Sequence, residues 1–191
     1  MRHAFVAACF LCLAGCVSPV TVHQQGPAFA AREASFEVMP LDYSHARIPL
    51  GTPGIDWREE EKAEFEEAKV AANNAFLAEV VKNLHHDGIA ATLPAHGDAH
   101  QTRYVITPEV LEVAPGDVTG ATDGLATHMK VGVTIADREG HVIDVVEVEH
   151  GTTPGAFAGG MTERLVADGS TVGERLASYV HERVAPGSEL R

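Results

Sequence analysis

Two histidine clusters hold the residues best suited to chemistry. His85-His86-Asp87 precedes Gly88, and His96-Gly97-Asp98-Ala99-His100 follows in the next loop. Neutral imidazole and carboxylate both suit zinc and copper. His85, His96, Asp98 and His100 therefore form a candidate four-ligand set, brought together if the loop folds back on a helix end. The plainer alternative is that His85 and His86 close a helix, where positive charge is favoured. The other three are then solvated loop residues and no cofactor is bound. That plainer alternative is the expectation, and zinc or copper binding stands beside it.

Other candidates are weaker. His128, His141 and His150 fall on or beside two paired strands and could meet across them, which would add charge near pH ~6. Glu147 and Glu149 alternate along a strand and read as its solvent face. Ser170 and Ser178 lack a nucleophile context, and Gly151, Gly159 and Gly160 form no phosphate-binding fingerprint. Trp57 reads as a packing anchor. No catalytic motif is present, so the chain is not expected to be an enzyme.

The elements that must position these residues follow from periodicity. Phe36 and Val38 alternate in a short strand over 35–41, ended by Pro40. Asp56 and Glu59 suit the two ends of a capping box that opens a long helix. Its stripe is Phe65, Ala68, Ala72, Phe76, Val80 and Leu84, widened by Leu77 and Val81, and Gly88 fits the left-handed stop. A strand follows at 104–113, with Val105, Leu111 and Val113 on one face, Tyr104, Ile106 and Val110 on the other, and Pro108 marking a bulge or an edge. The clearest hairpin joins 127–136 to 141–149 through Asp137-Arg138-Glu139-Gly140, with Gly140 supplying positive φ. One or two helical turns are predicted over 161–166. Thr171-Val172-Gly173-Glu174 then reads as a capping box opening a last helix, stopped by Pro186-Gly187. The order is β-α-β-β-β-α. The fold class is α+β, with one mostly antiparallel sheet and two main helices packed on one face.

The first residues say where such a domain works. Met1-Arg2-His3 is basic and residues 4–13 are apolar, but the run is too short to span a bilayer, which takes roughly 20 residues. Leu13-Ala14-Gly15-Cys16 resembles a bacterial lipobox, the signal for lipidation of a cysteine and cleavage before it. Residues 1–15 are then a signal peptide. Residues 16–33 are a lipidated Cys16, bearing acyl chains such as palmitate, and a flexible tether. Residues 34–185 are a single periplasmic domain and 186–191 a tail. The chain's other cysteines, Cys9 and Cys12, fall within the signal, so the mature domain has no thiol for a disulfide or a metal. Val17, where an Asp would favour retention at the inner membrane, points to the outer membrane facing the periplasm. The formal net charge of -13 disfavours phosphate backbones, so nucleic acid is excluded as a partner.

The lipobox, the tether and the β-α-β-β-β-α order resemble the periplasmic domains related to the TolB N-terminal domain. That group includes the curli-export lipoprotein and the lipoprotein activators of penicillin-binding proteins. Phe36-Glu37-Val38, the helix from Glu59 to Leu84 with Gly88, Tyr104-Val105-Ile106, the hairpin turn and the terminal helix carry the resemblance, over roughly residues 34–185. It implies a non-catalytic adaptor, assembly or regulatory factor in the cell envelope, membrane-bound through its N-terminal lipid and working with an envelope protein. A homo-oligomer is one form this could take. No amphipathic insertion suited to a pore is present, so a channel role is not carried over.

Overall fold

The computed structural model describes residues 20–31, 33–48, 58–94, 102–114, 127–152 and 160–184. Eight elements run in the order β1 (Val20–Gln25), β2 (Ser35–Val38), α1 (Glu59–His86), β3 (Ala90–Thr92), β4 (Tyr104–Ala114), β5 (Thr127–Asp137), β6 (Val142–Thr152) and α2 (Met161–Arg183). The strands form one sheet in the order β1-β6-β5-β4-β2-β3. Strands β1, β6, β5 and β4 pair antiparallel in turn, and β2 lies parallel to both β4 and β3. The α+β class and the mostly antiparallel sheet are as the periodicity predicts.

Alternation decides which face of the sheet is buried. Met129, Val131, Val133 and Ile135 of β5 and Val146 and Val148 of β6 turn inward with Ile106 and Val110 of β4. Both helices cover that face. The predicted stripe of α1, from Phe65 to Leu84, is buried against it with Val81 half-buried at its margin, as are Leu165, Val172, Leu176 and Val180 of α2. Each of the large aliphatic and aromatic side chains removed from water stabilises the fold by about 1.5–3 kcal/mol.

α1 ends as its sequence directs. Gly88 takes φ 74°, and its N–H donates to the His85 carbonyl while Ile89 N–H donates to Leu84 at 2.8 Å. These two bonds are the Schellman pattern, and Ile89 is buried as its apolar contact requires. The helix start differs from expectation. The residue before the first turn is Arg58, whose backbone N–H donates to Glu61 Oε2 at 2.9 Å and whose guanidinium grips the same carboxylate. Glu61, rather than Glu59, reaches back; Asp56 and Trp57 lie outside the described residues.

Five further departures have physical causes. Part of the segment expected to be tether forms β1, because Val20-Thr21-Val22 can pair its backbone along the open edge of β6 from Val20↔Val148 to Gln25↔Asp144. Residues 90–92, assigned to the turn after α1 and the loop beyond it, add β3 at the other edge. In β4 the register slips between Val110 and Glu112, which turns Val113 inward with Val110 and leaves Leu111 outside. Pro108 sits in a strand with neighbours on both sides, yet β2 has already ended beside it. Met39 donates to Ile106 and Asp42 to the Pro108 carbonyl, so the missing N–H falls in a gap of the ladder.

The fifth departure is α2, which runs unbroken from Met161 to Arg183 through the residues expected to open it. Thr171 does not cap; its hydroxyl donates to the Ala167 carbonyl at 2.9 Å. The glycines are there for helix contact. A Cβ on Gly169 would lie 2.4 Å from the Ala72 carbonyl oxygen, and one on Gly173 would lie 2.7 Å from that of Phe76. The two helices thus touch backbone to backbone and run parallel. His181 near the end of α2 meets Asp87 at the end of α1 at 3.1 Å.

Candidate functional site

Both helices end over the part of the sheet where β6 begins. There Asp144 is completely buried. It points inward from β6, between Ile135 opposite and Val146 beside it, where an isolated carboxylate would be strongly disfavoured. Four donors satisfy it. Arg183 gives Nε to Oδ2 at 2.9 Å and Nη2 to Oδ1 at 3.1 Å, Tyr179 gives its hydroxyl to Oδ2 at 2.9 Å, and Gly26 gives its N–H to Oδ1 at 2.9 Å. Burial pushes the Asp144 carboxyl up, but the Arg183 guanidinium, Gly26 N–H and Tyr179 hydroxyl outweigh it and hold the carboxyl below its ordinary range. Burial, helped by the adjacent carboxylate, pushes Tyr179 up to about 12.

The same arginine ties down the chain after β1. Arg183 Nη2 also donates to the carbonyls of Gly26 at 2.7 Å and Pro27 at 3.0 Å. Phe29 N–H donates to the Arg183 carbonyl at 2.9 Å. The Phe29 ring is buried between Phe36, edge-on at 5.3 Å, and Tyr104 at 4.8 Å. The cluster therefore joins β6, α2 and the N-terminal segment. Beside it, a groove of about 430 Å³ between β1 and α2 is lined by Val20, Val22, Arg175 and Tyr179 among others. The sequence reading missed this cluster. Asp144 at a position of β6 that alternates with Val146 and Val148 was the available signal, since a carboxylate in an apolar register implies a buried cation.

His85 is the one member of the candidate metal set within the described residues. Its Nε2 lies 2.8 Å from the Ala91 carbonyl oxygen. A carbonyl only accepts, so this nitrogen carries a proton, and in the neutral ring Nδ1 would hold the lone pair. The bond fastens the end of α1 to β3. His96, Asp98, His100 and the lipidation candidate Cys16 lie outside the described residues.

The three hairpin histidines do not form one cluster: His128 and His150 lie at one end of the hairpin and His141 at the other. His128 lies on the open face, 3.8 Å from Glu149. His150 pairs with Met129 across the strands and turns to the helix side, 3.7 Å from the fully buried Asp168. Burial pushes its imidazole down against the pull of Asp168. His141 sits in the turn at the other end, with its backbone N–H on Asp137 Oδ1 at 2.8 Å and its ring nitrogen 3.0 Å from Oδ2. Asp137, Glu139 and His141 bring ligand atoms within 4.8 Å of one another, but Asp137 is engaged in closing the turn.

The uncovered face of the sheet carries paired charge. Lys130 meets Glu147 at 2.8 Å, Arg138 meets Glu37 at 2.9 Å and Arg47 meets Glu112 at 2.5 Å. Glu147 and Glu149 thus lie on the solvent side of β6, as their spacing predicts. Leu111, Gly132, Thr134 and Val145 floor a shallow depression of about 260 Å³ between these pairs.

No family model and no curated protein matches the chain. Among solved structures, it is similar to the PelC dodecamer from Paraburkholderia phytofirmans, with 17% identity, a TM-score of 0.46, and 83% of this chain and 97% of that one covered. It is also similar to a Xanthomonas campestris protein described under the family model DUF330, with 11% identity, a TM-score of 0.48, and 85% and 93% covered. A third is a minor lipoprotein from Acinetobacter baumannii, with 15% identity, a TM-score of 0.36, and 76% and 90% covered. None of these values assigns a family or an activity to this chain.

Proposed function

We propose that the chain is a bacterial envelope lipoprotein, anchored through Cys16 and acting as a non-catalytic adaptor, assembly or regulatory factor by protein contact. The observation that carries the reading is Leu13-Ala14-Gly15-Cys16 at the end of a basic-then-apolar run. Two features of the domain support it. Among the described residues no helix is long and apolar enough to cross a membrane, so acyl chains would supply a membrane contact that these helices do not. The buried carboxylate Asp144 is saturated by structural donors, and its cluster holds the N-terminal segment to the domain. The outer membrane, facing the periplasm, is the expected address.

The test is fractionation of cells making the full chain and its Cys16→Ala variant. The wild-type protein is expected in the membrane fraction, released by detergent but not by high salt; the variant is expected to lose that association. Equal membrane association of both would refute the anchor. In vivo crosslinking of the anchored protein should then trap an envelope partner.

One observation favours a second reading, metal binding at His85, His96, Asp98 and His100. Metal-bound histidines almost always donate their other ring N–H to an oxygen that fixes the ring, and His85 does this to Ala91. Calorimetric titration of the mature protein with zinc or copper tests it. Stoichiometric binding that is lost in His96→Ala and His100→Ala supports the site, and binding unchanged by them rejects it.

A further inference from the structure

We infer that the protein stands on the bilayer in one orientation, with the start of β1 turned toward the lipid headgroups and the β5–β6 turn as the far tip. This rests on acylation of Cys16. Only Val17, Ser18 and Pro19 separate that cysteine from Val20, the first residue of β1. Four Cα–Cα steps of about 3.8 Å reach at most about 15 Å. β5 has 11 residues, and at about 3.4 Å per residue the sheet is roughly 35 Å tall along its strands. The leash is therefore shorter than the domain it holds.

The leash stays short only while β1 stays in the sheet. Its ladder to β6 runs from Val20↔Val148 to Gln25↔Asp144. Beyond it, Asp144 and Arg183 hold Gly26 and Pro27, and Phe29 is buried. A peeling force on the lipid must break these in turn before the free length can grow.

Topology then orders the rest. Val20 lies beside Val148, so the end of β6, the start of β5 and the N-terminal turn of α2 share the membrane end. The parallel packing of the helices puts the start of α1 there too. The far end carries the 137–141 turn, the exposed Val142 and the C-termini of both helices. With a net charge of -13 the flanks are not drawn to anionic headgroups, which favours standing over lying. The far end is the surface that an envelope partner opposite the membrane can reach.

The mature chain has no cysteine besides Cys16, so single labels are available. The lipidated protein is reconstituted in liposomes bearing nitroxide headgroup lipid, with a fluorophore at Glu163→Cys near the membrane end or at Glu139→Cys at the tip. Flotation comes first. Failure to float, which Cys16→Ala must show, would overturn both the anchoring and the orientation. For protein that floats, quenching several-fold stronger at position 163 than at 139 is expected. Equal quenching, or stronger quenching at 139, would overturn the orientation alone. An insertion of about twenty Gly and Ser after Val17, long enough to act as a flexible coil, should erase the difference while flotation persists. A difference that survives the insertion would show that the leash does not set it.

Discussion

The Asp144 cluster and the His85 corner lie at the same end of the molecule and are built in opposite ways. Asp144 is buried, and donors from α2 and the N-terminal segment occupy both its oxygens. His85 is partly exposed, and one of its nitrogens holds a single carbonyl. A polar group with every bonding position filled by its own chain has nothing left to offer a ligand. It specifies where the N-terminal segment and the end of α2 must lie. A ring fixed through one nitrogen is oriented, and in its neutral form the other nitrogen keeps a lone pair. The first region explains how the domain is held together and the second is where small-ligand chemistry would start.

The largest expected effect comes from emptying the saturated region. Asp144→Ala leaves the Arg183 guanidinium and the Tyr179 hydroxyl without their shared partner, and removing one member of a buried pair costs about 3–5 kcal/mol. Urea unfolding should show the loss, with Asp144→Asn falling between the variant and the wild type. The pH dependence has a defined sign. The Asp144 carboxyl is held low in the folded state, so its contribution is complete above the unfolded value of about 3.9 and is lost as pH falls through the lower folded value. Wild-type stability should therefore drop below about pH 4, and Asp144→Asn should flatten that drop.

A smaller effect is expected where the helices are pressed together so that both regions share one end. Gly169→Ala drives a methyl against the Ala72 carbonyl, and overpacking of this kind costs about 1–3 kcal/mol. Thermal unfolding should register it. The smallest effect belongs to the open corner. His85→Gln keeps an N–H that can reach the Ala91 carbonyl, so the loss should stay near or below about 1 kcal/mol. A large loss in the same urea assay would mean that the His85 ring is a structural part like Asp144, and the contrast between the regions would fail.

Strict alternation made most of the fold legible. Phe36 with Val38, the stripe from Phe65 to Leu84 and the hairpin about Gly140 are each regular over enough residues to fix both type and face. What stayed hidden depends on partners far along the chain. Val20 and Val22 make a strand because β6 leaves an edge for them. Gly169 and Gly173, poor helix formers by propensity, stay helical because α1 needs their missing side chains. The slip at Leu111 inverts one residue pair in β4 without any local mark in the sequence. The Asp144 cluster joins residues 118 and 39 positions apart, a separation that no local pattern encodes. The candidate lipidation and metal residues show the reverse. Their candidate chemistry rests on residue type, spacing and the lipobox resemblance, and Cys16, His96, Asp98 and His100 lie outside the described residues.

The most direct single measurement is the intact mass of the protein purified from membranes of cells expressing the full chain. A mature chain that begins at Cys16 and carries a thioether-linked diacylglyceryl group is the expected result, with Cys16→Ala lacking it. A chain that retains residues 1–15, or one that begins at Cys16 with a free thiol, would contradict the anchored lipoprotein.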